Sequence, residues 1–280
     1  MIEAYTIKYL REVVAGWRSS GDVIALVPTM GNLHNGHLKL VEIAKEAADK
    51  VVVSVFVNPS QFVEGEDFQS YPRTLTEDIK KLQSTGVDML FSPENTEVYP
   101  QAMATVIDVP ELSTILCGQF RPGHFQGVAT VVCKLLNIVQ PDVAFFGEKD
   151  FQQLMVIRRM VTDLNIPVEV IGVNIVREVD GLAMSSRNAY LTDSERASAP
   201  RMYKALCWAQ GQLAEGNRNY AQIESAALKQ LQQAGFSVDY FSIRQSGSLM
   251  SADEDSDHLV ILVAAWLGRA RLIDNLRFDA

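Results

Sequence analysis

VIALVPTMGNLHNGHLKLVEIAKEAAD, residues 23–49, passes from an apolar, β-branched run through a glycine-bearing turn into an amphipathic helix. Near-continuous apolar runs of this length belong to strands buried on both faces of a parallel sheet. The pattern recurs in VVVSVFV (51–57), VDMLFS (87–92), PDVAFFG (141–147) and PVEVIG (167–172). Helical periodicity fills the intervals: HLKLVEIAKEAAD (37–49), TLTEDIKKLQSTG (74–86), FQGVATVVCKLLNIV (125–139) and DFQQLMVIRRMVTDL (150–164). Alternation of this kind predicts an α/β fold, a doubly wound parallel sheet with helices on both faces. Thr74 and Glu77 have capping-box spacing, and Gly86 stands where a helix would stop.

The texture changes after about residue 175. NIVREVDGL (174–182) reads as a strand, 192–214 and 218–233 as long helices, and FSVDYFSIRQ, HLVILVAAWLG and RARLIDNLRF as an antiparallel sheet. We therefore expect two domains, 1–174 and a smaller α+β domain over 175–280, with a hinge between Gly172 and Arg177.

The chain has 25 Lys and Arg against 34 Asp and Glu, a net charge of −9. That balance opposes binding to a phosphate backbone, so nucleic acid is excluded as a partner. An anionic small molecule would need a local cluster of His, Lys, Arg and helix N-termini. No stretch reaches the ~20 apolar residues of a membrane span, and the N-terminus lacks a signal-peptide pattern; a cytoplasmic location is expected. Cys117, Cys133 and Cys207 are widely spaced and read as buried free thiols rather than disulfides or zinc ligands.

The segment Thr29-Met30-Gly31-Asn32-Leu33-His34-Asn35-Gly36-His37 is the first strand-to-helix turn, at the carboxyl end of a strand where open α/β sheets bind ligands. Two imidazoles three residues apart, beside the N–H groups and dipole of the following helix, suit a triphosphate. The bland alternative is an N-capping histidine beside a turn histidine. Zinc also competes, but a third ligand is missing.

A second element, Gly147-Glu148-Lys149-Asp150, opens a helix after another strand; Lys149 offers a point charge for phosphate and Asp150 a cap, although a solvated turn would read alike. A third, Met184-Ser185-Ser186-Arg187-Asn188, places two hydroxyls and a guanidinium where β and γ phosphates could be held.

His34-x-Gly36-His37 is similar to the HIGH motif of the nucleotidylyltransferase superfamily, and the Met184–Arg187 loop resembles its KMSKS loop without the lysines. PTMGNLHNGH, FVNPSQF, YPRT, RPGHFQGVATVV, FGEKDFQQ and MSSRNAYL occur in the order of the pantoate–β-alanine ligase family, which the chain resembles over essentially its whole length. The resemblance implies a Rossmann-like first domain and an ATP-dependent ligase whose small-molecule substrates are ATP, pantoate and β-alanine. It implies a pantoyl adenylate, Mg²⁺ accompanying ATP without a dedicated protein metal site, and a homodimer.

By the same resemblance, His34 and His37 would stabilise the reacting phosphates, and Lys149, Ser185, Ser186 and Arg187 would hold the triphosphate. Residues 30–37, Gly147 to Asp150, Val176 and Met184 to Arg187 would line the ATP site, with Gly147 and Val176 reading adenine through their backbone. Gln61 and Gln153, uncharged amides, would hold pantoate, with Asn58 and Arg121 beside them. His124 is expected to order its loop, and His258 to lack a partner. The acidic segment 62–67 has no assigned role, and the second domain is expected to serve as a lid. A nucleotidylyltransferase that stops after transferring its nucleotide, and a nucleotide sensor without turnover, remain rival readings; the first would need more basic residues, and measurable AMP would exclude the second.

Overall fold

Strand β1 (Ile2–Ala4) and helix α1 (Ile7–Ser19) precede β2 (Ile24–Thr29), α2 (Asn35–Ala47), β3 (Lys50–Val55), α3 (Leu75–Thr85) and β4 (Met89–Phe91). Three short helices follow, α4 (Asn95–Val98), α5 (Pro110–Ser113) and α6 (Cys117–Phe120), then α7 (His124–Val139), β5 (Val143–Gly147), α8 (Phe151–Asp163) and β6 (Glu169–Val173). This computed structural model describes residues 1–279. The chain divides into two compact units: residues 1–148 with 152–174, and Lys149–Phe151 with the chain from Ile175 onward.

In the first unit six strands form one sheet in the order β1-β4-β3-β2-β5-β6, and every pairing is parallel. The fold is thus the doubly wound α/β sheet that the alternating pattern predicts. From β2 the chain winds to β3 and β4 on one side, while β5 and β6 lie on the other. The carboxyl ends of β2 and β5 therefore flank the point where strand order reverses, the crevice where such sheets bind ligands. Ala25, Val27, Val51, Val53 and Phe145 of the sheet pack with Val41 and Ala44 of α2 and Leu82 of α3. Burying one such Leu or Phe contributes about 1.5–3 kcal/mol.

The second unit holds α9 (Asp193–Ser198), α10 (Arg201–Ala214) and α11 (Tyr220–Gln233), followed by β7 (Ser237–Gln245), β8 (His258–Leu267) and β9 (Ala270–Asp279). The strands form an antiparallel sheet in that order. Leu206, Leu213, Ile223 and Leu231 of the helices bury against Ile261, Val263 and Ala265 of β8.

Several expectations need correction. The helix expected over 192–214 is two helices, because Pro200 has no amide hydrogen to continue the ladder. NIVREVDGL is not a strand; residues 176–184 form a tight hairpin closed by the Arg177↔Ala183 bridge, with Gly181 N–H donating to Glu178 O. Thr74 makes no cap bond: its hydroxyl donates to Asp78 Oδ2, and the capping boxes lie instead at His34/His37 and Thr192/Glu195. Only Cys117 of the three thiols is buried. His258 does have a partner, Asp279, at 2.8 Å. The N-terminal β1 and α1 escaped the sequence reading. Helix α1 is capped by Thr6, whose side chain accepts from Tyr9 N–H, and it buries Leu10 and Val14 on one face. Among the described residues, no helix is long and apolar enough to cross a membrane.

Candidate active site

The turn after β2 is held from within and from α3. Gly31 and Asn32 both adopt positive φ, +81° and +50°, a sharp reversal that favours Gly and Asn. Their turn is clamped by Asp78, a fully buried carboxylate that accepts Asn32 N–H and Leu33 N–H, each at 2.8 Å. Lys81, one turn further along α3, donates to Leu33 O at 2.5 Å. Asp78 and Lys81 were invisible to sequence reasoning, since no local pattern signals a carboxylate reaching back 45 residues to Leu33.

The two histidines form the capping box of α2. His34 is the N-cap and its Nδ1 accepts Gly36 N–H at 3.1 Å, while His37 Nδ1 accepts His34 N–H at 3.3 Å. The capping reading of the two histidines is therefore met in the structure. With both Nδ1 atoms accepting, each neutral ring carries its proton on Nε2, a tautomer inferred from these bonds. The rings lie 4.0 Å apart between centroids. The amides of Gly36, His37 and Leu38 are engaged within the turn, the latter two on His34 O. The open helix amides expected of an anion site are thus largely engaged within the turn.

Gln61 ends a 3-10 turn, Pro59–Gln61, after β3 and is buried rather than superficial. Asn58 Nδ2 donates to Gln61 Oε1 at 3.0 Å and to Gly127 O at 3.3 Å, and Asn58 Oδ1 accepts from the Tyr99 hydroxyl at 2.8 Å. Burial pushes the Tyr99 phenol above its ordinary value, so it keeps the proton it donates. With its oxygen engaged by Asn58, Gln61 presents Nε2, which lies 3.2 Å from Met30 Sδ. Asn58 is thereby an orienter of Gln61.

The Gln61 carbonyl faces His124 Nδ1 at 2.7 Å, and His124 Nε2 faces Arg121 Nη1 at 2.9 Å. Arg121 always donates, so His124 accepts at Nε2 and donates from Nδ1. The Arg121 guanidinium makes a two-pronged pair with Glu66 of the acidic segment, whose role the sequence left open. Gly127 passes so close that a Cβ there would lie 2.1 Å from Ser60 O. Gln153 lies near the start of α8, partly buried, while its neighbour Gln152 is spent on Cys117 N–H and the carbonyls of Leu112 and Ile115. Gly147 closes β5 and Glu148 opens the 3-10 turn Glu148–Asp150, its side chain buried against Gly172.

In the second unit, Lys149 Nζ stands 3.9 Å from Asp150 Oδ2. Val176 accepts Met184 N–H at 3.0 Å, so one acceptor direction of the carbonyl proposed for adenine is already used. Ser185 caps the 3-10 turn Ser186–Tyr190, its hydroxyl accepting Arg187 N–H at 3.3 Å.

A doubly wound parallel sheet with a paired-histidine turn at its switch point places the chain in the class of α/β proteins that bind ligands at the strand carboxyl ends. Within that class, the family model for pantoate-β-alanine ligase matches residues 3–277, and the chain belongs to this family of enzymes. It is 52% identical over 282 residues to the pantothenate synthetase of Shewanella oneidensis, covering 100% of both chains. The pantothenate synthetase structure from Thermus thermophilus superposes with a TM-score of 0.93 at 46% identity, covering 99% of each chain. A pantoate-β-alanine ligase from Francisella tularensis, solved in complex with β-γ ATP and β-alanine, gives 0.82 at 35% identity, covering 99% of this chain and 97% of that one.

Proposed function

We infer that the chain is an ATP-consuming ligase that joins pantoate to β-alanine, releasing pantothenate, AMP and pyrophosphate. A pantoate carboxylate oxygen attacks the α-phosphorus and pyrophosphate departs. The β-alanine amine then attacks the acyl carbon, loses a proton and expels AMP. The observation that carries this reading is the histidine capping box at the end of β2, which fixes two Nε2–H donors side by side at the switch point. Such preset donors stabilise charge that develops on a phosphoryl oxygen.

Gln61, turned so that Nε2 faces outward from Asn58, suits an oxygen of pantoate without trapping its nucleophilic carboxylate in an ion pair. Gln153 is assigned beside it; Asn58 and Arg121 serve Gln61 from behind. Lys149, Ser185, Ser186 and Arg187 are assigned to the triphosphate, Gly147 and Val176 to adenine. Among the described residues, no three His, Cys, Asp or Glu are grouped to hold a metal. Mg²⁺ would travel on phosphate oxygens and waters, its usual preference. A homodimer and a cytoplasmic location complete the reading; sedimentation tests the dimer.

Incubation with MgATP, pantoate and β-alanine, followed by mass spectrometry, is expected to yield pantothenate and AMP in equal amounts. AMP that forms without pantothenate, or no AMP, contradicts the assignment.

A further inference from the structure

Asp274 and Asn275 are adjacent on β9 and both buried, although neighbouring strand residues point to opposite faces. Each is polar, and each reaches a different segment. Asp274 takes a two-pronged pair from Arg177, at 2.6 Å and 2.9 Å. Arg177 also donates to Gly181 O at 3.1 Å and Asn275 O at 3.2 Å, and its guanidinium stacks 3.8 Å from the Tyr203 ring centre. It thus pins both limbs of the 176–184 hairpin, whose end runs directly into Met184–Arg187. On the other face, Asn275 Nδ2 donates to Lys149 O at 3.0 Å; Lys149 groups with the second unit.

A buried ion pair is poor insurance for stability, because apolar replacements of like volume are often as stable or more so. Burial pushes the Asp274 carboxyl upward, against the pull of Arg177 and the Asn275 amide. What the arrangement does achieve is register. Two segments distant in sequence, each bearing residues assigned above to the triphosphate, hang from one dipeptide.

We propose that Asp274 and Asn275 are positioning residues of the nucleotide site: through Arg177 and through the Lys149 carbonyl they set the Ser185–Arg187 turn and the Lys149 ammonium relative to each other. The inference rests on the assignment of those residues to ATP.

Asn275→Ala, which leaves the ion pair intact, and Asp274→Asn are titrated with MgATP alone by calorimetry on the full chain. Loss of the Asn275 amide is expected to weaken the Kd for MgATP about tenfold, the equivalent of one hydrogen bond. The KM for pantoate should stay within about twofold, since that substrate is assigned elsewhere. Unchanged MgATP affinity with a lowered melting temperature, or equal losses for ATP and pantoate, overturns the proposal. Should Asp274→Asn fail to fold, Asn275→Ala decides alone. Absence of turnover in the unsubstituted protein would instead count against the ligase assignment, while the calorimetric comparison would still read the positioning role.

Discussion

Asp78 and Leu33 are joined by a hydrogen bond of 2.8 Å that, with its twin to Asn32, makes one buried carboxylate the anchor of the turn bearing both histidines. Asp78→Asn would set an amide N–H₂ against one of these backbone donors. We expect a stability loss of roughly 3 kcal/mol from an unsatisfied buried donor and the lost charge-assisted bond. Turnover should fall by more than the folded fraction, because the histidines lose their frame. Denaturant titration alongside steady-state kinetics checks both.

Gly31→Ala should be costly on two grounds. Its φ of +81° is unfavourable for a Cβ, and that Cβ would lie 3.0 Å from Val55 Cγ1 and 3.1 Å from Asp78 Oδ2. The backbone term alone is about 1–2 kcal/mol. The melting temperature should fall and AMP formation with it.

Gly127→Ala tests the support of Gln61. A Cβ 2.1 Å from Ser60 O and 2.7 Å from Gln61 Cα forces backbone to move, at about 1–3 kcal/mol. The expected signature is a KM for pantoate raised more than that for ATP. Equal changes would remove Gln61 from the pantoate site.

Glu224 gives a pH test in the second unit. Burial pushes its carboxyl above the ordinary value, while Ile243 N–H, Arg244 and the Ser242 hydroxyl pull the other way. A raised folded pKa means the native state binds the proton more tightly than the unfolded chain. This contribution is complete below the unfolded value of ~4.3 and is lost as pH rises through the raised folded one. Glu224→Gln keeps an oxygen for Ile243 N–H without titrating. It should therefore melt higher than the unsubstituted protein at neutral pH, with the gap narrowing toward pH 4, ~0.3 below that unfolded value.

The parallel sheet was legible because strands buried on both faces leave apolar runs, and the histidine turn because two of four histidines fall within four positions at a strand end. The break at Pro200 and the Thr6 cap of α1 went unread, although both rest on local residue types. What stayed hidden depends on distance along the chain. Asp78 beneath Leu33 and Glu66 against Arg121 are contacts that no window of neighbouring residues encodes. The Val176 hairpin looked like a strand because its apolar spacing is strand-like; Gly181 at φ +94° turns it back.

The most direct test of the account is pyrophosphate–ATP exchange with Mg²⁺ and pantoate in the absence of β-alanine, comparing the unsubstituted chain with His37→Ala. The account predicts exchange that requires pantoate and falls about 100-fold in the variant, the scale of removing one preset donor to a developing charge. Exchange that is indifferent to pantoate, or undiminished without the His37 imidazole, would contradict it.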